Sequence, residues 1–203
     1  MCSSDLLAPG WAVSAPVREL SDGTRLLGVY HEDGDTAYGG VLRSTDAGRT
    51  WSAPIPIGKG GGVRLDAETD VIELRDGGIL AALRGDKVPL HFARSRDRGL
   101  TWSAAVSSGF PGHSPHFTRL ESGEILLTHR LPQTAMHVSR DDGATWSGPE
   151  VIDTVIGAYP STVALNDGSV LVVYYEEGAA SAIRARRFRL ADSGPVWLSL
   201  EPD

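Results

Sequence analysis

One eight-residue pattern, Ser-x-Asp-x-Gly-x-Thr-Trp, occurs three times and constrains the fold more than any other feature of the chain. The copies read "STDAGRTW" at 44–51, "SRDRGLTW" at 95–102 and "SRDDGATW" at 139–146, and we call each of them a box. Three copies with five fixed positions do not arise by chance in 203 residues. Repeats of this kind indicate an array of similar structural units, each of which packs against its neighbours.

A second repeated phrase precedes each box. It reads "RELSDGTRLLGVY", "IELRDGGILAALR" and "TRLESGEILLTHR", and a fourth copy, "VALNDGSVLVVYY", begins at Val163 without a following box. Each copy is an apolar run, a turn of the Asp-Gly type and a second apolar run, which predicts a β-hairpin. The turns are centred on equivalent residues spaced 54, 46 and 45 positions apart, namely Asp22, Asp76, Ser122 and Asp167.

Two further strands are expected in every unit. The segments "GGVLRS", "LHFARS" and "MHVSR" before the boxes predict a third strand, and "TWS" at the end of each box predicts the start of a fourth. Four strands in about 45 residues is the period of a β-propeller blade. The sequence therefore predicts an all-β protein, a β-propeller of four-stranded antiparallel blades of which about four are present.

The boxes are predicted to be structural turns between the third and fourth strands. The aspartate should accept backbone N–H bonds, the glycine should adopt a positive φ, and the tryptophan should bury its ring between neighbouring blades. In chain order these residues are Asp46, Gly48 and Trp51, then Asp97, Gly99 and Trp102, then Asp141, Gly143 and Trp146.

Charge and composition exclude several classes of partner. The net charge is -7 and the sequence contains no run of basic residues, which argues against binding nucleic acid. No apolar run approaches the roughly 20 residues that span a bilayer, so no membrane span is expected. Cys2 is the one cysteine, which leaves no disulfide framework to predict.

The boxes and hairpins together resemble the Asp-box, or BNR-repeat, sialidase (neuraminidase) superfamily. The resemblance extends from Val17 to about Leu190. It implies a six-bladed propeller that acts as an exo-α-sialidase, a glycoside hydrolase that cleaves terminal sialic acids from glycans without a cofactor or metal.

The chain is too short for a propeller of six blades. Six blades need roughly 270 residues, so we expect an N-terminally truncated fragment that is inactive by itself. Residues 1–6 match the translation of the end of a common sequencing adapter and are expected to be non-native. Residues 7–203 would then form one partial propeller domain.

The resemblance implies roles for five residues. In "AETDVIELRDGGILAALR" it implies that Glu68 is the partner of the nucleophile and that Arg84 is the family's second carboxylate-binding arginine. Arg130, shortly before the third box, would be the third arginine. In "GAYPSTVALNDGSVLVVYYEEG" Tyr159 would be the nucleophile, and Glu176 the carboxylate that steadies the first arginine. Because Glu177 follows directly, the position of this carboxylate is open by one residue.

Several features leave alternatives open. Pro160 stands where the family has serine, and the family's first arginine and acid/base aspartate have no counterpart. His113 and His116 in "GHSPHF" suggest an alternative enzyme on the same fold, which would act on uronates or deoxy sugars with a histidine as acid/base. A non-catalytic, glycan-binding propeller is the other alternative. In that case the arginines would be solvated strand ends and Tyr159 a packed aromatic residue.

Overall fold

The computed structural model of the chain describes residues 7–32, 37–66, 68–85, 87–155, 157–179 and 181–200. Within these ranges all 17 regular elements are β-strands, and no helix is present that could cross a membrane. The strands form four antiparallel sheets, which confirms the predicted all-β fold class. The predicted non-native segment, residues 1–6, lies outside the described residues.

Two compact units divide the chain, one ending at Phe110 (unit 1) and one beginning at Pro111 (unit 2), and each contains two sheets. The first sheet of unit 1 consists of β1 (Trp11–Ala12), β2 (Val17–Glu19), β3 (Arg25–His31), β4 (Tyr38–Ser44) and β5 (Ile55–Ile57). Its second sheet consists of β6 (Thr69–Glu73), β7 (Ile79–Leu83), β8 (His91–Ser95) and β9 (Val106–Ser107). In the first sheet both β1 and β2 pair with β3, so these two short strands together take the place of a blade's first strand.

Unit 2 repeats the four-stranded pattern twice. Its first sheet consists of β10 (His113–Arg119), β11 (Ile125–Arg130), β12 (Thr134–Ser139) and β13 (Glu150–Asp153). Its second sheet consists of β14 (Gly157–Ala164), β15 (Val170–Glu176), β16 (Ala182–Ala191) and β17 (Gly194–Leu198). Strands in all three four-stranded sheets pair in chain order, which is the order within a propeller blade.

The predicted hairpin turns are present in all four sheets. In the first, the N–H of Leu20 donates to Thr24 O at 2.8 Å, and the N–H of Gly23 donates to Leu20 O at 2.9 Å. Gly23 has a φ of 82°, a left-handed conformation in which a side chain is strained. The same two bonds close the turns that begin at Leu74, Leu120 and Leu165.

Within each unit the two sheets pack through apolar side chains. The core of unit 1 joins residues of both its sheets, including Leu26, Val41 and Ile79, and that of unit 2 includes Met136 and Phe188. In unit 1 the backbones approach so closely that a Cβ on Gly28 would lie 2.2 Å from the carbonyl oxygen of Thr69. Only glycine allows this approach of β3 to β6, which brings the ends of the two sheets together.

Each box is a hydrogen-bonded loop centred on its serine and aspartate. In the first box Ser44 Oγ donates to Asp46 Oδ1 (2.9 Å) and accepts the N–H of Gly48 (2.9 Å). Thr50 donates to the Asp46 carboxylate from its N–H (2.9 Å) and from Oγ1 (2.7 Å). The other two boxes repeat these contacts. Hydrogen bonds from the threonine lower the pKa of the box aspartates to about 2 in Asp46, Asp97 and Asp141.

The box glycines adopt positive φ as predicted, and the residue before each glycine does so as well. The tryptophan rings are half-buried, and Trp51 Nε1 donates to Gly48 O at 3.1 Å. The predicted start of the fourth strand at "TWS" was wrong, because β5, β9 and β13 begin four residues after the tryptophan. Ser52 Oγ accepts the N–H of Arg43 at 3.1 Å and thereby takes the place of a backbone carbonyl in the ladder. The chain consequently turns before regular pairing starts.

Candidate active site

The predicted residues Glu68, Arg84, Arg130 and Tyr159 occupy two positions that are equivalent in every sheet. They lie at the same end of the sheet, where the first strand begins and the second strand ends. We count from the leucine that opens each hairpin turn. The residue six places before it, the first-strand position, is Ser14, Glu68, Ser114 and Tyr159 in the four sheets. The residue ten places after it, the second-strand position, is Tyr30, Arg84, Arg130 and Tyr175.

In unit 1 the two predicted residues form an ion pair. Glu68 is only 1% exposed, and its carbonyl accepts the backbone N–H of Arg84 at 3.0 Å. Arg84 Nη1 lies 3.3 Å from Glu68 Oε2, and Nη2 lies 2.9 Å from Asp66 Oδ2. The guanidinium is therefore oriented by two carboxylates on the same segment.

Two further ionisable residues of unit 1 belong to this group. Burial, and next to it the negative charge of Glu68, raises the pKa of Tyr30. A hydrogen bond with Asp66, and next to it burial, raises the pKa of Glu32. Glu32 thus retains its proton to a higher pH than an ordinary glutamate. We call Glu32, Asp66 and Glu68 the carboxyl cluster.

In unit 2 Tyr159 stands on a β-bulge. The register of β14 against β15 shifts between Ala158 and Ser161, and Tyr159 has a φ of 51°. Thr128 Oγ1 of the neighbouring sheet donates a hydrogen bond to Pro160 O at 3.0 Å, and this bond stabilises the bulge. As a result the Tyr159 side chain leaves the sheet, and the residue is 42% exposed.

Arg130 lies beside Tyr159. Its guanidinium carbon is 5.8 Å from the centre of the Tyr159 ring, and the ring of Tyr175 stacks on Tyr159 at 6.3 Å. Arg130 Nη1 is 2.8 Å from Glu177 Oε1. Glu176, which the resemblance assigned to the family's first arginine, pairs with Arg184 at 2.6 Å. Of the two adjacent glutamates, Glu177 is therefore the one at the Arg130 and Tyr159 pair.

The predicted histidines lie on β10 of unit 2. His113 is opposite Arg130 in the β10–β11 ladder, and His116 Nε2 lies 3.3 Å from Thr162 O. A second histidine pair is buried nearby, with the rings of His129 and His137 stacked at 5.2 Å. Burial, and next to it the charge of His137, lowers the pKa of His129 to about 4, so this ring is neutral at physiological pH.

The structure thus brings Glu68 together with Arg84 in unit 1, and Arg130 with Tyr159 in unit 2. Of the other residues of these groups, sequence reasoning missed Tyr30, Glu32, Asp66 and Tyr175, whereas Glu177 was named as the alternative to Glu176. The repeat contained a signal for three of the four missed residues, namely Tyr30, Glu32 and Tyr175. Tyr30 and Tyr175 occupy the position of Arg84 in their own sheets, and Glu32 and Glu177 each follow two residues later.

Comparison with known proteins identifies the same repeats. Residues 11–200 match the family model of the BNR repeat-like domain. A xyloglucanase from Paenibacillus sp. is 27% identical over 204 residues, which cover 87% of this chain and 20% of the xyloglucanase. The chain thus spans a fifth of the length of this curated relative.

Two solved structures are similar to the chain. A Dyadobacter fermentans protein of unknown function superposes with a TM-score of 0.76 at 24% identity over 90% of this chain and 58% of that one. The intramolecular trans-sialidase from Ruminococcus gnavus superposes with a TM-score of 0.67 at 18% identity over 86% of this chain and 43% of that one. At these identities the likeness shows the fold, a β-propeller of the kind found in glycoside hydrolases. The chain belongs to the BNR repeat-like domain family.

Proposed function

We propose that the protein to which this chain belongs is a glycoside hydrolase of the exo-α-sialidase type, acting on terminal sialic acids of glycans. One observation carries the proposal: an exposed tyrosine on a bulge lies beside an arginine that a carboxylate holds in place. A phenol can approach an anionic sugar without the repulsion that a carboxylate nucleophile would meet, and tyrosine is the nucleophile known in sialidases.

The proposed reaction assigns a role to each residue. Tyr159 Oη forms a bond to the anomeric carbon as the glycosidic bond breaks, and Glu68 takes the phenol proton. Arg84 and Arg130 bind the sugar carboxylate, since a guanidinium offers parallel N–H donors to both carboxylate oxygens. Asp66 and Glu177 hold these two guanidinium groups in fixed orientations.

The leaving oxygen needs a proton, and Glu32 is our candidate donor. Its hydrogen bond with Asp66 raises its pKa, which keeps the carboxyl protonated where an ordinary glutamate is ionised. A general acid of this kind typically contributes about 10²–10⁴ in rate. Glu32 would then supply the function for which the sequence offered no aspartate.

Covalent trapping tests the proposal most directly. The full-length protein containing this chain is incubated with a 2,3-difluorosialoside, which forms a glycosyl-enzyme that hydrolyses slowly, and is then digested and mapped by mass spectrometry. We expect the added mass on the peptide containing Tyr159, together with release of fluorophore from an aryl sialoside. Label on another residue would remove Tyr159 from its role, and a lack of both label and release would refute the sialidase proposal.

The carboxyl cluster of unit 1 favours a second candidate, a glycosidase of neutral or deoxy sugars. The guanidinium of Arg84 is already paired with the carboxylates of Asp66 and Glu68, and these two negative charges disfavour a substrate carboxylate there. A panel of aryl glycosides separates the two candidates, because release from neutral glycosides alone would select the second. Release from uronides alone would support the alternative in which His113 or His116 acts as the acid/base.

A further inference from the structure

Unit 1 contains a cavity that none of the roles above uses. Its volume is about 520 Å³, and it is lined by Tyr38, Lys59, Arg64 and the glycines of the segment "GKGGG", residues 58–62, together with Ala37 and Val63. We call it the lysine pocket. Arg64 is two residues before Asp66, so the pocket adjoins the carboxyl cluster along the chain.

The segment that forms one wall of the lysine pocket lies between two buried residues. Ile57, at the end of β5, and Leu65 are fully buried, and Val63 packs against the same core. Between them Gly58, Gly60 and Gly62 have φ values of 75°, 75° and 74°, which other residues rarely adopt. The segment therefore curves tightly out of the core and back, with Lys59 and Arg64 facing the space that it encloses.

An aromatic group forms the opposite wall. The ring of Tyr38 stacks on His31 at 5.2 Å, and Trp11 packs edge-on against Tyr38 at 5.6 Å. These contacts fix the Tyr38 ring as a platform. Lys59 Nζ lies 5.1 Å from the centre of that ring, so its charge is held at the platform rather than extended into solvent.

The chemistry of the lining residues selects one kind of ligand. Among the described residues that line the pocket, the two charged ones are cations, and the other wall is the aromatic ring of Tyr38. His31 and the Lys59 ammonium contact the Tyr38 ring, so a ligand in the pocket meets the ammonium and guanidinium groups, which favour a carboxylate. We propose that the lysine pocket is a subsite for a carboxylated sugar residue, a sialate or a uronate, within the glycan.

This subsite rests on the proposed function only for the kind of ligand, a glycan. Unit 1 would then contain two differently charged regions next to each other along the chain, the carboxyl cluster and the lysine pocket. In the carboxyl cluster the guanidinium of Arg84 is paired with two carboxylates, whereas the lysine pocket offers the charges of Lys59 and Arg64.

Direct binding measurements test the subsite. N-acetylneuraminate, glucuronate and glucose are titrated by calorimetry at low salt against the full-length protein that contains this chain. The test variant carries Lys59→Met and Arg64→Gln. The matched control carries Lys87→Met and Arg49→Gln, which remove the same charges from exposed positions that do not line the pocket. Thermal melting of both variants establishes that they are folded.

We expect the acidic sugars to bind at least tenfold more tightly than glucose. The test variant should lose at least tenfold in this affinity, along with most of its salt dependence, and the control should stay within twofold of wild type. Equal binding of glucose and the acids, or unchanged affinity in the test variant, would overturn the subsite. A folded variant with Tyr38→Leu provides a second check, since it should weaken both acids and leave the net charge unchanged.

Failure of the subsite and failure of the proposed function are distinguishable. Acid-sugar binding that disappears with Arg130→Met but persists in the test variant would refute the subsite and leave the sialidase proposal standing. Binding that depends on Lys59 and Arg64, in a protein that releases nothing from sialosides, would support the subsite and refute the sialidase proposal.

Discussion

Arg84 of unit 1 and Arg130 of unit 2 occupy the same second-strand position, but their surroundings differ. Arg84 is paired with Asp66 and with the buried carboxylate of Glu68. Arg130 faces the ring of Tyr159 and one carboxylate, Glu177, whose side chain is 38% exposed. The charge of Arg84 is thus neutralised within the fold, whereas that of Arg130 is better placed to meet an anion. One blade scaffold therefore presents the same cation in two electrostatic settings.

The first strands of the two units also differ. In unit 2 both β10 and β14 carry a bulge with a residue before proline, Ser114 or Tyr159, at a φ of 51°. In unit 1 β6 pairs with β7 in regular register from Thr69, and the preceding Glu68 stays buried. Of the two bulged residues Tyr159 is 42% exposed and Ser114 only 4%, so the bulge sets the backbone conformation and the surrounding side chains decide the exposure.

The largest effect should come from removing the Tyr159 hydroxyl. In the full-length enzyme we expect Tyr159→Phe to lower kcat on an aryl sialoside by about 10³-fold or more, because the proposed nucleophile is lost. Tyr175→Phe is the matched control: it removes a hydroxyl from the stacked neighbour and should stay within a few-fold of wild type. Equal losses in the two variants would assign Tyr159 a packing role.

The two arginines should differ in their effect on stability. Arg84→Met leaves the buried Glu68 without the guanidinium, and we expect a loss of about 3 kcal/mol in the unfolding free energy of unit 1. Arg130→Met leaves a partly exposed glutamate, and we expect about 1 kcal/mol or less in unit 2. Hydrogen exchange in β7 and β11 measures the two losses separately. If Glu68→Gln does not recover most of the loss in the Arg84→Met background, the buried charge is not its cause.

The contrast between the two arginines shows how far the sequence predicts such a site. The repeat predicts the sheets and hairpin turns, because periodicity and turn residues are local properties. It also identifies the first-strand and second-strand positions, since these are fixed distances from a turn. The candidate residues at them, Glu68, Arg84, Arg130 and Tyr159, were named from the resemblance to the sialidase superfamily, and their roles stay predictions.

The side chains that contact the candidate residues were harder to predict than the positions of those residues in the sheets. Adjacent residues of a strand point to opposite sides, so a shift of one residue decides whether Glu176 or Glu177 meets Arg130. The pairing of Arg84 with Asp66 depends on the path of the loop that precedes β6, which the repeat does not specify. The left-handed conformation of Tyr159 depends on a contact with the neighbouring sheet, the hydrogen bond from Thr128 to Pro160.

Acid should weaken unit 2 at a higher pH than unit 1. Burial lowers the pKa of His129 from 6.5 to about 4, so between these values the unfolded state binds more protons than the folded state. Unfolding free energy should therefore fall as the pH falls from about 6.5 to 4, by up to about 3 kcal/mol. The equivalent residues of unit 1 are apolar, Val29 and Leu83.

Hydrogen exchange against pH measures this difference. Protection of β11 should decline over that window, whereas protection of β7 should hold until the box aspartates, with pKa values of about 2, begin to take up protons below pH 4. His129→Leu should flatten the decline in β11. Parallel declines in both strands would mean that His129 does not set the acid response of unit 2.

The smallest effect should come from the residues before the box glycines. Ala47 in unit 1 has a φ of 62°, and this left-handed conformation is strained for alanine, so Ala47→Gly should stabilise the fold by about 0.5–1 kcal/mol. Asp142 has the equivalent place in unit 2 with a φ of 58°, but its carboxylate lies 2.6 Å from Arg119 Nη2. Aspartate tolerates this conformation better than alanine, and Asp142→Gly would also lose the ion pair, so this change should give no gain. Urea denaturation of the two variants measures both changes in unfolding free energy. A gain from Asp142→Gly as large as that from Ala47→Gly would show that the ion pair contributes nothing and that backbone strain is the same in the two boxes.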